Sequence, residues 1–372
     1  MQTVLVATIV AYLATLAIMR LGSQHLHPIH DPLEGVQKFH TRPVPRIGGV
    51  AVFVAVVVAL AWSAWRGLVE SKLLGLALAS LPVFAAGLAE DLTKRVSPRA
   101  RLLAAAGSAA LAGLLVGAWL PRLGIPLLDD LLHQWPVPGL EVGVLAVLIT
   151  LVATTGLTHA INIIDGFNGL AAAACALMFA GMGYVAWALG DQTLAQLCLA
   201  AIGALLGFLA WNYPRGWIFL GDGGAYLLGF TLAQVAILLV GRHPQLSPWF
   251  PFLVCLYPIV ETLFSIYRKW IVRRMSPGLP DALHLHMLVY RRLLRWAAGT
   301  QAARDFTRRN AATAPYLWAL TSLSVVPAVL FWYRPPVLIA CAVAFAVLYL
   351  LLYVRLVRFR APAWLKRRLG RS

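Results

Sequence analysis

The sequence predicts an all-α polytopic membrane protein, and three observations predict it. Of 372 residues, 60% are hydrophobic and only 12% are charged, whereas an ordinary soluble domain is roughly one-quarter charged. The apolar residues fall in runs long enough to cross a bilayer, whose hydrocarbon core of about 30 Å takes about 20 helical residues. Lys and Arg gather between alternate runs instead of being spread evenly.

Eleven such runs lie near 1–20, 47–65, 73–89, 100–120, 141–158, 169–189, 193–212, 223–241, 249–267, 314–333 and 336–354. The first has no small-residue cleavage site ahead of polar sequence, so it is expected to stay as a span. With the N-terminus outside, segments 20–46, 90–101, 212–222, 268–313 and 355–372 lie inside and hold 26 of the 31 Lys and Arg, against 5 outside. The positive-inside bias therefore predicts a periplasmic N-terminus and a cytoplasmic C-terminus. Residues 1–354 read as a single integral-membrane catalytic domain, and 355–372 as a basic tail on the inner leaflet. The formal charge of +17 reports this orientation and not a nucleic-acid partner. Cys175, Cys198, Cys255 and Cys341 are isolated inside apolar runs, which argues against both a disulfide framework and a Cys-based metal site.

Under that topology every unusual polar stretch falls on the inner face: HDPLEGVQKFHTRPVPRIGG, AEDLTKRVSPRAR, HAINIIDGFNG, WNYPRGWIFLGDGG and PDALHLHMLVYRR. Ionisable groups at membrane depth are costly and usually mark function, so five such stretches on one face predict one shared site. The first stretch holds His40 and Arg46, with Pro43 and Pro45 stiffening the entry to the second span; a rigid loop and a substrate contact suit it equally.

In AEDLTKR the adjacent Glu90 and Asp91 can share a divalent cation, and Lys94 and Arg101 can hold phosphate oxygens. Local ion pairs at a helix end are the plainer alternative. In HAINIIDGFNG, a helical start would put Asn162, Asp165 and Asn168 on one face, and Gly166 and Gly169 would let a ligand or helix come close. Asp222, between glycines, is placed either to cap the next helix or to anchor Mg²⁺, which takes few protein ligands. His284 and His286, two residues apart, suit an extended loop reaching toward phosphate; no third ligand stands at zinc-like spacing.

These five stretches, in this order from about Asp31 to His286, resemble the polyprenyl-phosphate N-acetylhexosamine-1-phosphate transferase family. The eleven-span pattern with an outside N-terminus is similar to its undecaprenyl-phosphate GlcNAc-1-phosphate branch, whereas the phospho-MurNAc-pentapeptide branch has ten spans. The resemblance implies catalytic roles for Glu90, Asp91, Asp165 and Asp222, with Asn162 and Asp222 as ligands of Mg²⁺, for which Mn²⁺ can substitute. It implies substrate contacts from His40, Arg46, Lys94, Arg101, Asn168, His284 and His286, with Asn168 facing the uracil and the two histidines the pyrophosphate. Glu90 stands where the family's acidic pair begins with aspartate, Asn168 where many bacterial members have aspartate, and Met287 where a third histidine is common.

The expected reaction is transfer of a sugar 1-phosphate from a UDP-N-acetylhexosamine to undecaprenyl phosphate, with release of UMP. It would open the membrane stage of O-antigen or another cell-envelope polysaccharide at the inner membrane, with the site facing the cytoplasm. A homodimer is compatible with the sequence but not read from it. A membrane transporter of a phosphorylated or nucleotide-linked solute is the alternative, although transporters tend to show internal repeats and broken midplane helices.

Overall fold

The computed structural model describes residues 1–25, 44–140, 142–274, 283–294 and 303–358, and these contain helices but no strand. In chain order the helices are α1 (Gln2–His25), α2 (Gly48–Trp65), α3 (Gly75–Thr93), α4 (Pro98–Val116), α5 (Pro126–Leu132), α6 (Val144–Ile164) and α7 (Leu170–Ala188). They continue as α8 (Gln192–Asn212), α9 (Gly221–Arg242), α10 (Trp249–Val254), α11 (Leu256–Tyr267), α12 (Leu285–Leu288), α13 (Ala303–Leu330) and α14 (Pro335–Val357). Among the described residues, ten helices are long and apolar enough to cross a membrane; α5, α10, α11 and α12 are not.

The run 249–267, expected as one span, is instead broken into α10 and α11 at Cys255. Pro258 explains the break. It has no N–H for the Val254 carbonyl, and its ring crowds that carbonyl. Ten continuous spans and one interrupted run thus replace the eleven expected.

Helix α9 is the axis of the bundle. Its sequence GDGGAYLLGFTLAQVAILLVGR is apolar around nearly its whole circumference, the pattern of a helix buried on all sides, and α2, α3, α4, α6, α7 and α8 pack around it. Two glycine pairs set how closely they approach. A Cβ on Gly224 would lie 2.7 Å from the Gly49 Cα, and one on Gly87 would lie 2.6 Å from the Gly223 Cα. Helices α2 and α3 therefore close on the first turn of α9 only because both contacts lack side chains.

The segment before α2 is tied to the segment before α9. The first amides of a helix have no intrahelical acceptor. Here Gly48 N–H donates to the Phe219 carbonyl at 2.9 Å and Gly49 N–H to that of Leu220 at 2.8 Å, while Phe219 N–H donates to Pro45 at 2.8 Å. Two polar stretches 170 residues apart thus form one unit. Between α6, α9, α10 and α11 lies an apolar cavity of about 460 Å³, lined by Leu157, Ala160, Ala236, Ile237, Phe252 and Ile259 among others.

Candidate active site

Asp222 sits in the first turn of α9, where the partial positive charge of a helix N-terminus favours an anion. Its carboxylate gathers three of the other stretches. Arg46 Nη2 reaches Oδ1 at 3.3 Å, Asn162 Nδ2 donates to the same oxygen at 3.1 Å, and Arg101 Nη1 donates to Oδ2 at 3.0 Å. Arg101 also donates to the hydroxyl of Tyr226 at 3.2 Å, and Tyr226 lies one helical turn beyond Asp222. The side chain of Asp222 remains 13% exposed, which leaves it a path to solvent.

Asp91 lies behind this carboxylate and is only 1% exposed. Its Oδ1 accepts from the backbone N–H of Asp222 and its Oδ2 from that of Gly223, both at 2.9 Å, while Arg46 Nε stands 3.8 Å from Oδ1. The cap that could have come from Asp222 within its own helix comes instead from Asp91 on α3. Gly87, one turn earlier on α3, makes the necessary approach to Gly223. Gly221, at φ +76°, also has to be glycine, since a Cβ there would meet the Arg46 carbonyl and the Asp91 carboxylate.

Glu90 does not act with Asp91 on a common point. Adjacent helical residues diverge by about 100°, and Glu90 Oε2 accepts from Val96 N–H at 2.9 Å, bracing the turn into α4. Lys94 ends α3 in the left-handed region at φ 56° and is exposed. His40 lies outside the described residues.

The expected face of Asn162, Asp165 and Asn168 survives only in part. Helix α6 stops at Ile164, and Asp165 turns off at φ −80°, ψ 58°. Burial pushes the Asp165 carboxyl up to about 7, against the pull of Arg46 and with added push from Asp222 and Asp91. Asp165 is thus electrostatically part of the cluster. Asn168 is not on that face: its backbone N–H donates to Asn310 Oδ1 at 2.8 Å and its Nδ2 to the Pro214 carbonyl at 3.1 Å. It pins the loop with its amide nitrogen turned to protein.

The histidine pair also differs from the extended loop expected. Only His284 is extended, at φ −65°, ψ 151°; Leu285–Leu288 is a helical turn. The two rings stack with centroids 5.4 Å apart and an interplanar angle of 7°. His284 Nδ1 is 3.0 Å from Glu261 Oε1. His286 is fully buried, with no partner on either ring nitrogen among the described residues, and burial pushes its imidazole down to about 3, Glu261 opposing and His284 adding to the shift. A Cβ on Gly166 would lie 2.9 Å from His286 Nε2, so the group that Gly166 admits is this ring.

Residues 73–240 match the glycosyl transferase family 4 profile. The chain is 28% identical over 251 residues to a probable undecaprenyl-phosphate N-acetylglucosaminyl 1-phosphate transferase of Bacillus subtilis, a match spanning 67% of this chain and 66% of that one. It is 27% identical over 264 residues to the undecaprenyl-phosphate alpha-N-acetylglucosaminyl 1-phosphate transferase of Escherichia coli K12, spanning 68% and 67%. The same activity is named for a Yersinia pestis relative, 28% identical over 260 residues and spanning 68% of each chain. Over residues 73–240 the chain is therefore similar to glycosyl transferase family 4. The matches span about two thirds of these relatives' lengths.

The family 4 match covers Glu90, Asp91, Arg101, Asn162, Asp165, Asn168 and Asp222, whereas Arg46 precedes it and His284 and His286 follow it. Four residues in or around this site escaped the sequence reading. Tyr226 looks like any core tyrosine until Arg101 is seen on its hydroxyl. Asn212, which accepts from Gly169 N–H at 2.6 Å and donates to the Ile218 carbonyl at 2.7 Å, and Asn310 each hold a loop from a distant helix. Glu261 had a usable signal. It is the sole charged residue between Arg242 and Arg268, and a lone carboxylate in an apolar run marks function by its cost.

Proposed function

We propose that this protein is a family 4 transferase that moves an N-acetylhexosamine 1-phosphate from its UDP-sugar to undecaprenyl phosphate and releases UMP. One observation carries the reading: the Asp222 carboxylate is met by side chains from three distant stretches, and helix α6, which supplies Asn162, also lines an apolar cavity that reaches from Ala160 toward the C-terminal half of α9. Anionic reactants need the first and a polyprenyl chain suits the second. The printed names of the relatives, which specify undecaprenyl phosphate and GlcNAc 1-phosphate, support the same substrates.

In the reaction an oxygen of the lipid phosphate forms a bond to the phosphorus that carries the sugar, and the anhydride bond to UMP breaks. One phosphoanhydride replaces another, so catalysis is mainly positioning and charge neutralisation. The lipid phosphate has a second pKa of about 6 and is largely dianionic at neutral pH, so it needs no general base. This agrees with Asp91 being spent on two backbone amides. Arg46 and Arg101, each fixed on Asp222, bring the positive charge that two phosphate-bearing reactants require, and the α9 N-terminus adds its own field.

The residues fit a divalent cation of the Mg²⁺ type. Such an ion uses one or two carboxylates and takes its remaining ligands from waters and substrate phosphates. Asp222 is partly exposed and has taken three hydrogen bonds where a carboxylate has about four acceptor positions. Among the described residues no three His, Cys, Asp or Glu form an all-protein cage, which that ion does not require. Asp222 with Asn162 would hold it, and when bound it supplies neutralisation of the pyrophosphate. The distribution of Lys and Arg supports a cytoplasmic position for this end of the bundle.

The test is incubation of purified protein with undecaprenyl phosphate and labelled UDP-GlcNAc, UDP-GalNAc or a deoxygenated analogue, with and without chelator. Label should move to solvent-extractable lipid with equimolar UMP, and chelator should abolish it. Unchanged UDP-sugar accumulating inside proteoliposomes, with no labelled lipid, would support a transporter instead.

A further inference from the structure

Glu261 has no part in the chemistry above, yet it is the most completely satisfied carboxylate in the bundle's interior. It lies midway along α11 with no exposed surface. Leu285 N–H approaches Oε1 at 3.1 Å and Oε2 at 3.3 Å. Tyr349 on α14 donates its hydroxyl to Oε2 at 2.9 Å, and His284 Nδ1 meets Oε1 at 3.0 Å. A carboxylate that already accepts at both oxygens requires a donor at this contact, so the proton is on Nδ1 of His284.

That assignment determines what His284 can offer. With Nδ1–H turned into the bundle, Nε2 is the atom left for a substrate. The carboxylate across the ring fixes which edge of the imidazole can meet a phosphate oxygen. The constraint passes further. His286 stacks on His284, faces Gly166 and meets Phe167 edge-on at 5.6 Å, so the same anchor braces the loop carrying Asp165.

We infer that Glu261 is a positioning residue for phosphoryl transfer: it orients His284 so that Nε2 faces the phosphates, and through His286 it steadies the Asp165 loop. The inference rests on the transferase reading. A carboxylate that only stabilised the fold would not need a histidine among its donors, because Leu285 and Tyr349 already tie α11, α12 and α14 together.

A double-mutant cycle tests this, with kcat and KM measured separately for Glu261→Gln, His284→Ala and the pair. Gln keeps the shape and removes the charge. Misplacing a group that acts on the reacting atoms costs roughly ten- to a hundredfold, so Glu261→Gln should lose that much, chiefly in kcat. In the His284→Ala background it should lose almost nothing more, since both changes remove one unit. Losses that multiply would overturn the inference. Nitrogen-15 NMR of histidine-labelled wild-type protein, with His284 assigned through His284→Ala, gives an answer even if Glu261→Gln does not assemble. An Nδ1–H ring or an imidazolium is expected, and an Nε2–H tautomer would overturn the inference. Absence of lipid-linked product from wild-type protein would instead sink the transferase reading, with the NMR result still deciding the orientation of His284.

Discussion

Two polar clusters stand at opposite ends of α9, and they are built on different arithmetic. At its C-terminal end Arg242 makes a forked contact with Glu70 at 3.3 and 3.4 Å. Asp191 takes Arg242 at 3.5 Å and His243 Nε2 at 3.1 Å while capping α8 through Leu194 N–H. Two carboxylates face two bases there, and Glu70 is 58% exposed. At the N-terminal end three carboxylates, Asp91, Asp165 and Asp222, gather around Arg46, with Arg101 on Asp222, and none is as exposed as Glu70. The exposed Arg242–Glu70 pair contributes about 0–1 kcal/mol, so that contact is a modest clasp. Burying an excess of carboxylates costs stability, and the cation and phosphates of the proposed reaction would offset that cost in the second cluster.

Several substitutions would break or sharpen this contrast. The largest effect is expected for Asp222→Asn, which should lower metal-dependent turnover by about a thousandfold, the upper range for loss of one electrostatic contact to reacting groups; near-normal single-turnover rates would refute its anchoring role. Next comes Asp91→Ala, which strands two buried amides and should destabilise the protein by about 1–3 kcal/mol. Asp91→Asn should cost less, because its amide oxygen still caps one of them. Thermal unfolding in detergent would rank the two.

Asp165 adds a pH signature to the same cluster. Its carboxyl titrates at about 7 in the fold and near 3.9 in an unfolded chain, so the folded state binds the proton more tightly. Between about pH 4 and 7 its contribution to stability must fall as pH rises, and level off above 7. In chelator, Asp165→Asn should therefore stabilise the protein at pH 8 and have little effect near pH 4; a constant difference would contradict the buried environment. The smallest effect belongs to Glu70→Gln, with a loss of about 0–1 kcal/mol in stability and unchanged transfer kinetics. If it matched Asp91→Ala, the distinction between clasp and site would fail.

Much of the fold was legible because membrane spans announce themselves by length and hydropathy, and Arg46, Arg101, Asn162 and Asp222, from four of the polar stretches, do meet in the structure. What sequence could not show was direction. Glu90 and Asp91 are neighbours in the chain, yet one braces Val96 and the other caps α9. Asn168 shares the spacing of Asn162 and Asp165, but α6 ends before its face reaches that far. The interruption at Cys255 was foreshadowed by Pro258 and hidden by an otherwise continuous apolar run.

The pairing of Gly48 and Gly49 with Phe219 and Leu220 bears on how the chain is assembled. During synthesis α2 enters the bilayer long before residue 219 leaves the ribosome. Until then its leading amides must be served by water at the membrane surface. Maturation of this end is thus a late dehydration event, and a nascent chain halted after α8 should show solvent-labile amides at Gly48 and Gly49 that the finished protein protects.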